Sequence, residues 1–133
     1  MNDSRRQPIF NIPDSVLWML GILVAVHLAR QFLVPELDSE VLLSGAFIPV
    51  RYVEGGAQLP GGQLARWTSP ITYMLLHADF MHLAMNSVWL LAFGAPVAKR
   101  LGGPGFWLFS IVCGVVGIGL QLVFNWGTLG TVI

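Results

Sequence analysis

The sequence predicts an all-α polytopic membrane protein with three spanning helices, and three observations carry that prediction. Of 133 residues, 55% are hydrophobic and only seven are basic and seven acidic. That is about half the charge content of a soluble domain, where roughly a quarter of residues are charged. Mean hydropathy is +0.69. The charges are also segregated: none falls within 15–29, within 80–98 or beyond Arg100. A helix needs about 20 largely apolar residues to cross a hydrocarbon core roughly 30 Å thick, and the stretches 16–34, 80–98 and 105–125 meet that length. A soluble fold burying three such helices would need an amphipathic shell, and too few residues remain to build one.

In chain order, a polar N-terminal tail, 1–14, carries Pro8 and Pro13. Asp14 or Ser15 is placed to cap the first spanning helix, 15–34. Arg5 and Arg6 followed by Val16–Val26 would also suit a cleaved signal peptide. The stretch stays apolar through Val34, however, and no small-x-small cleavage pattern follows. Arg30, near the far end, can snorkel to the interface. Residues 35–78 form a long outer connection, broken by Pro49, Gly55-Gly56 and Pro60-Gly61-Gly62. Its apolar anchors include Leu42, Leu43, Phe47, Ile48, Trp67, Ile71, Tyr73 and Leu75, and aromatic side chains favour the membrane surface. A second span follows over 79–98, a turn over 99–104, a third span over 105–125, and the start of another loop over 126–133. Ser110, Gly114, Gly117 and Gln121 share one face of the third helix, where small residues let a neighbouring helix come close. The single cysteine, Cys113, has no intrachain partner and suits a small apolar filler.

Zero net charge leaves no electrostatic case for nucleic acid. Basic residues are dense in the short flanks, at Arg5, Arg6, Lys99 and Arg100. On the side of the long connection Arg30, at the end of the first span, Arg51 and Arg66 are spread among four acidic residues. By the positive-inside tendency the N-terminus and the 99–104 turn are cytoplasmic and the connection lies outside.

Polar chemistry gathers in HADFMHLAMN, residues 77–86, at the mouth of the second apolar run. On a helix His82 and Asn86 are about 40° apart and project from one face, with Trp89 and Phe93 continuing the stripe. His77 falls on another face or in the preceding loop. Three readings follow from the residues alone. In the first, Asp79 caps the helix, and His82 and Asn86 hydrogen-bond to neighbouring helices. In the second, His77, Asp79 and His82 bind a metal, although further ligands are lacking. In the third, the Asn86 amide and the His82 imidazole are donors for a developing oxyanion, an arrangement strengthened by low dielectric. Polar residues inside a membrane are functional candidates by default.

The run TYMLLHADFMHLAMNSVWLLAFGAPVAKRLG, 72–102, resembles the second transmembrane segment of rhomboid intramembrane serine proteases. The shared pattern is His77-x4-His82-x3-Asn86, then Phe93-Gly94, then Lys99-Arg100-Leu101-Gly102. Gly114 and Gln121 also resemble the family pattern, and 35–78 resembles its partly membrane-embedded first loop. The resemblance implies a rhomboid-like helical bundle in a multi-pass bacterial inner-membrane protein, acting on transmembrane protein substrates through a Ser–His dyad. No metal or cofactor is implied. It further implies that His82 and Asn86 contribute to the oxyanion hole and that His77 shapes the same region. Two positions depart from the pattern: Arg66-Trp67 reverses and shifts a Trp-Arg pair, and Ala98 stands where a glutamate is common.

The family's Gly-x-Ser-Gly serine and its later histidine have no counterpart here. The serines are 4, 15, 39, 44, 69, 87 and 110; none sits in that motif, and Ser87 points about 100° away from Asn86. The expectation is therefore the N-terminal portion of a rhomboid protease, truncated to three transmembrane helices and inactive alone. The alternatives are a catalytically inactive rhomboid-like membrane-binding or regulatory protein, and a small helical scaffold in which the His/Asn pair is incidental.

Overall fold

The computed structural model describes residues 11–52 and 58–124. Arg5, Arg6, Gly55-Gly56 and the expected loop 126–133 lie outside the described residues. Everything described is helix, turn or connecting chain, with no strand. The first helix, α1, spans Asp14–Gln31. Neither Asp14 nor Ser15 caps it. Pro13 is extended (ψ 144°), and its carbonyl accepts from the Val16 and Leu17 amides at 3.0 and 3.2 Å. The helix stops short of Val34 because proline forces the residue before it out of the helical region. Val34 is accordingly extended (ψ 151°), and Pro35 opens α2, Pro35–Gly45, from its first position.

The connection is more structured than its breakers suggest. After α2 come a 3-10 turn, Pro49–Tyr52, a third helix, α3, Gly62–Thr72, and a second 3-10 turn, Tyr73–Leu75. Side chains bind these pieces together. Arg51 is only 1% exposed and donates to the carbonyls of Leu43 and Pro60 at 2.5 and 2.8 Å. The Tyr52 hydroxyl donates to the Arg66 carbonyl at 2.8 Å, and Thr72 Oγ1 to the Gly45 carbonyl at 2.8 Å. Beneath them Ala46, Ile48 and Leu76 form an apolar cluster with Val26 of α1.

Helix α4, Phe80–Trp89, passes through a π turn, Leu90–Gly94, into α5, Ala95–Phe124. Pro96 lies two residues beyond the π turn, so its ring faces the carbonyl of Ala92 within it. Proline has no N–H to give and its ring crowds the carbonyl a turn earlier, and a π turn is a common way for a helix to absorb such a defect. The stretch Phe80–Phe124 is long and apolar enough to cross a membrane. It is not straight, because Gly102 has φ 72° and ψ 173°, a conformation open essentially to glycine. The six-residue turn expected over 99–104 reduces to this residue. Lys99 and Arg100 remain helical, and the return arm starts at Gly103-Pro104.

The reversal is visible in the packing. Phe106, 2% exposed, comes back against Leu90 and Leu91, and a side chain at Gly94 would meet the Phe106 ring at 3.3 Å. Val16 of α1 packs with Ala98, while His27, three turns on, meets Phe80. Helix α1 therefore runs antiparallel to the first arm. The small-residue face of the return arm receives the Tyr73–Leu75 turn rather than another long helix. Tyr73 donates to the Gly114 carbonyl at 2.8 Å, and a Cβ on Gly114 would fall 1.8 Å from Met74 Sδ. Gly114→Val should expel that turn and destabilise the fold by about 1–3 kcal/mol, the usual cost of overpacking. Thermal unfolding in detergent, with Gly119→Val at an open position as the control, measures the difference.

Candidate functional site: the histidine junction at the start of α4

The chain enters α4 through an extended junction, and Asp79 is its N-cap. The Asp79 carboxylate accepts from the backbone N–H of His82 at 2.7 Å. The cap belongs to the first of the three readings of the sequence. It satisfies one of the four orphan donors of a helix start and fixes the first turn, on which His82 sits.

His77 precedes the cap and is 2% exposed. Its ring meets that of His82 edge-on, with centroids 5.1 Å apart. The two histidines are thus brought together from different elements, one from the connection and one from the helix. His82 and Asn86 are both half-buried, one turn apart on α4. Among the described residues neither the His82 ring nor the Asn86 amide has a hydrogen-bond partner, so the contacts to neighbouring helices offered by the first reading are not made there. Trp89 and Phe93 stack at 5.4 Å further along the helix. No three of His, Cys, Asp and Glu among the described residues are arranged to hold a metal.

Support comes from the end of α1, and sequence reasoning did not foresee it. Arg30 does not snorkel outward; it is 6% exposed. Its Nε and Nη2 donate to the two carboxylate oxygens of Asp38 at 2.7 and 3.1 Å, and its Nη1 donates to the His77 carbonyl at 3.0 Å. One turn earlier His27, 1% exposed, sets its ring edge-on to Phe80 at 4.6 Å and lies 3.5 Å from the Gln31 amide nitrogen. The available signal was an arginine at the end of an apolar run with a carboxylate eight residues on, beyond Pro35. A cavity of about 400 Å³ lies away from this junction, between Ile12 and Leu91, Ala95 and Lys99.

The fold and the junction define a helical membrane protein whose unpaired polar side chains cluster where a helix hairpin begins. The family model for the Rhomboid domain matches residues 64–130; the chain belongs to the rhomboid family. That family consists in general of intramembrane serine proteases that act on transmembrane substrates within the bilayer. No curated protein and no solved structure matches the chain.

Burial holds the His77 imidazole below its ordinary pKa, with the nearby His82 and Arg30 acting in the same direction. In an unfolded chain the same group titrates near 6.5. Above that value both states are neutral and His77 contributes no pH dependence. Below it the unfolded state takes up a proton that the folded state resists, so stability falls with acidification. Unfolding followed from pH 7.5 to 5.5 should show this loss, with a shallower slope in His77→Gln.

Proposed function

We propose that these residues form the oxyanion-binding side of an intramembrane serine endopeptidase that cleaves transmembrane segments of other membrane proteins. The observation that carries the reading is the pair of uncommitted donors, the His82 ring and the Asn86 amide, on one face of a capped helix. A peptide carbonyl attacked by a nucleophile gathers negative charge on its oxygen, and preorganised donors in a water-poor site stabilise that charge. The burial of His77 against His82 supports a role for His77 in shaping the same region.

Three spans are supported by geometry and length together. The 18 residues of α1 extend about 27 Å at 1.5 Å per residue, and each arm of the hairpin is of similar length. The antiparallel packing of Val16 against Ala98 brings the start of α1 and Lys99-Arg100 to one end, the cytoplasmic end by the positive-inside tendency. The histidine junction and the connection are then at the outer end. The hydroxyl of Tyr73 reaches Gly114, about 16 Å along the return arm from Gly103, which supports a connection partly sunk into the outer leaflet.

Among the described residues no serine hydroxyl reaches a histidine. Ser87 and Ser110 donate to carbonyls of their own helices, and Ser69 is paired with Tyr52. The nucleophile and base of this reading are therefore not among these residues, and the 133-residue chain alone should not hydrolyse peptides. The same observation favours a second reading, a catalytically inactive rhomboid-like protein that binds membrane segments. Cleavage of a transmembrane substrate by the full-length protein separates the two. On the protease reading, His82→Ala and Asn86→Ala should each lower kcat about 10²–10³-fold with the fold intact. Binding of an uncleaved substrate, with no turnover in the unmutated protein, would support the inactive binder.

A further inference from the structure

Arg30 makes a set of contacts that membrane anchoring does not require. A guanidinium at the end of a membrane helix can extend into the headgroups, yet this one is buried and each of its three nitrogens donates inward. Two go side by side to Asp38, the geometry in which a planar fork meets a carboxylate best. The third crosses 47 positions of sequence to the carbonyl of His77. That carbonyl precedes α4 and belongs to no helix ladder, so it depends on a partner brought from elsewhere. His27, three residues before Arg30 on the same face of α1, takes hold of Phe80 on the far side of the cap. The last turns of α1 therefore grip the junction at two points.

We propose that Arg30 is a positioning residue for the histidine pair: with its charge balanced by Asp38, it fixes the His77 peptide plane and hence the edge-on approach of the His77 ring to His82. The inference deepens the oxyanion reading and rests on it, because a displaced His77 matters to chemistry only if His82 faces the reacting carbonyl. Misplacement of about 1 Å can cost a catalytic site two orders of magnitude. The choice of arginine follows from the geometry, since a lysine ammonium is a point charge without the fork that bridges a carboxylate and a carbonyl in one plane.

The test uses the whole 133-residue chain, isotope-labelled at histidine and phenylalanine, in detergent micelles. Two through-space ring contacts are read by NMR: His77 with His82, and His27 with Phe80. In Arg30→Gln the His77–His82 signal should weaken at least fivefold while the His27–Phe80 signal persists. A merely structural arginine would lower the unfolding temperature and leave that ratio alone. If Arg30→Gln does not fold, Asp38→Asn decides the matter at a partly exposed position, with an expected twofold or greater weakening of the same signal. Wild-type strength of the His77–His82 signal in a folded Arg30→Gln, or in Asp38→Asn where that variant decides, overturns the proposal. The readout needs no cleavage, so failure here is distinct from failure of His82→Ala and Asn86→Ala to impair turnover.

Discussion

A polar group withdrawn from water must find its partner within the chain, and near a bilayer core there is little else to bond to. That constraint organises most of this structure. Arg51, buried among the pieces of the connection, spends its guanidinium on two backbone carbonyls. Arg30 is neutralised by Asp38 and then used to hold His77. Tyr73 carries its hydroxyl to the Gly114 carbonyl on the return arm. The bonds of Arg51 tie the connection to itself, while those from Arg30 to His77 and from Tyr73 to Gly114 join segments 47 and 41 residues apart and fasten the connection to the helices.

The pattern is not complete, since His27 Nδ1, Arg51 Nε and His77 Nδ1 are buried without a partner among the described residues, and His82 and Asn86 depart from it in a different way. They are half-buried, on a rigid capped helix, and among the described residues their side chains bond to nothing. A donor partly withdrawn from water and left without a partner forgoes the stabilisation that Arg30 and Arg51 obtain from theirs. Donors held ready in this way suit a charge that exists only briefly. Catalytic sites commonly depart from otherwise satisfied bonding for this reason.

What was legible in the sequence follows the range of the physics involved. The cap at Asp79 could be read because a cap is settled within one turn. The hairpin was legible as a Lys-Arg-Leu-Gly-Gly-Pro break, although its reduction to Gly102 alone was not, since both glycines permit the same backbone. Helix α2 carried a readable signal, Pro35 at its first position followed by Glu36 and Asp38 in the first turn, which complement the helix dipole. The surrounding proline and glycine breakers masked it. The end of α1 at Gln31 was likewise written in Pro35, but hydropathy averages over such a residue. Arg30 could not be placed, because neither periodicity nor spacing points to a carbonyl 47 residues away.

That last contact bears on how the site is divided along the chain. The Rhomboid family model spans residues 64–130 and so contains His77, His82 and Asn86. Arg30, Asp38 and His27, which hold the junction in place, all precede it. The donors and their support thus belong to different stretches of sequence. The two stretches are under different constraints. A donor aimed at a developing charge must be a particular chemical group at a particular position on α4. A support need only hold one carbonyl and one ring, and any inward-facing fork with a balanced charge at the end of α1 could do that.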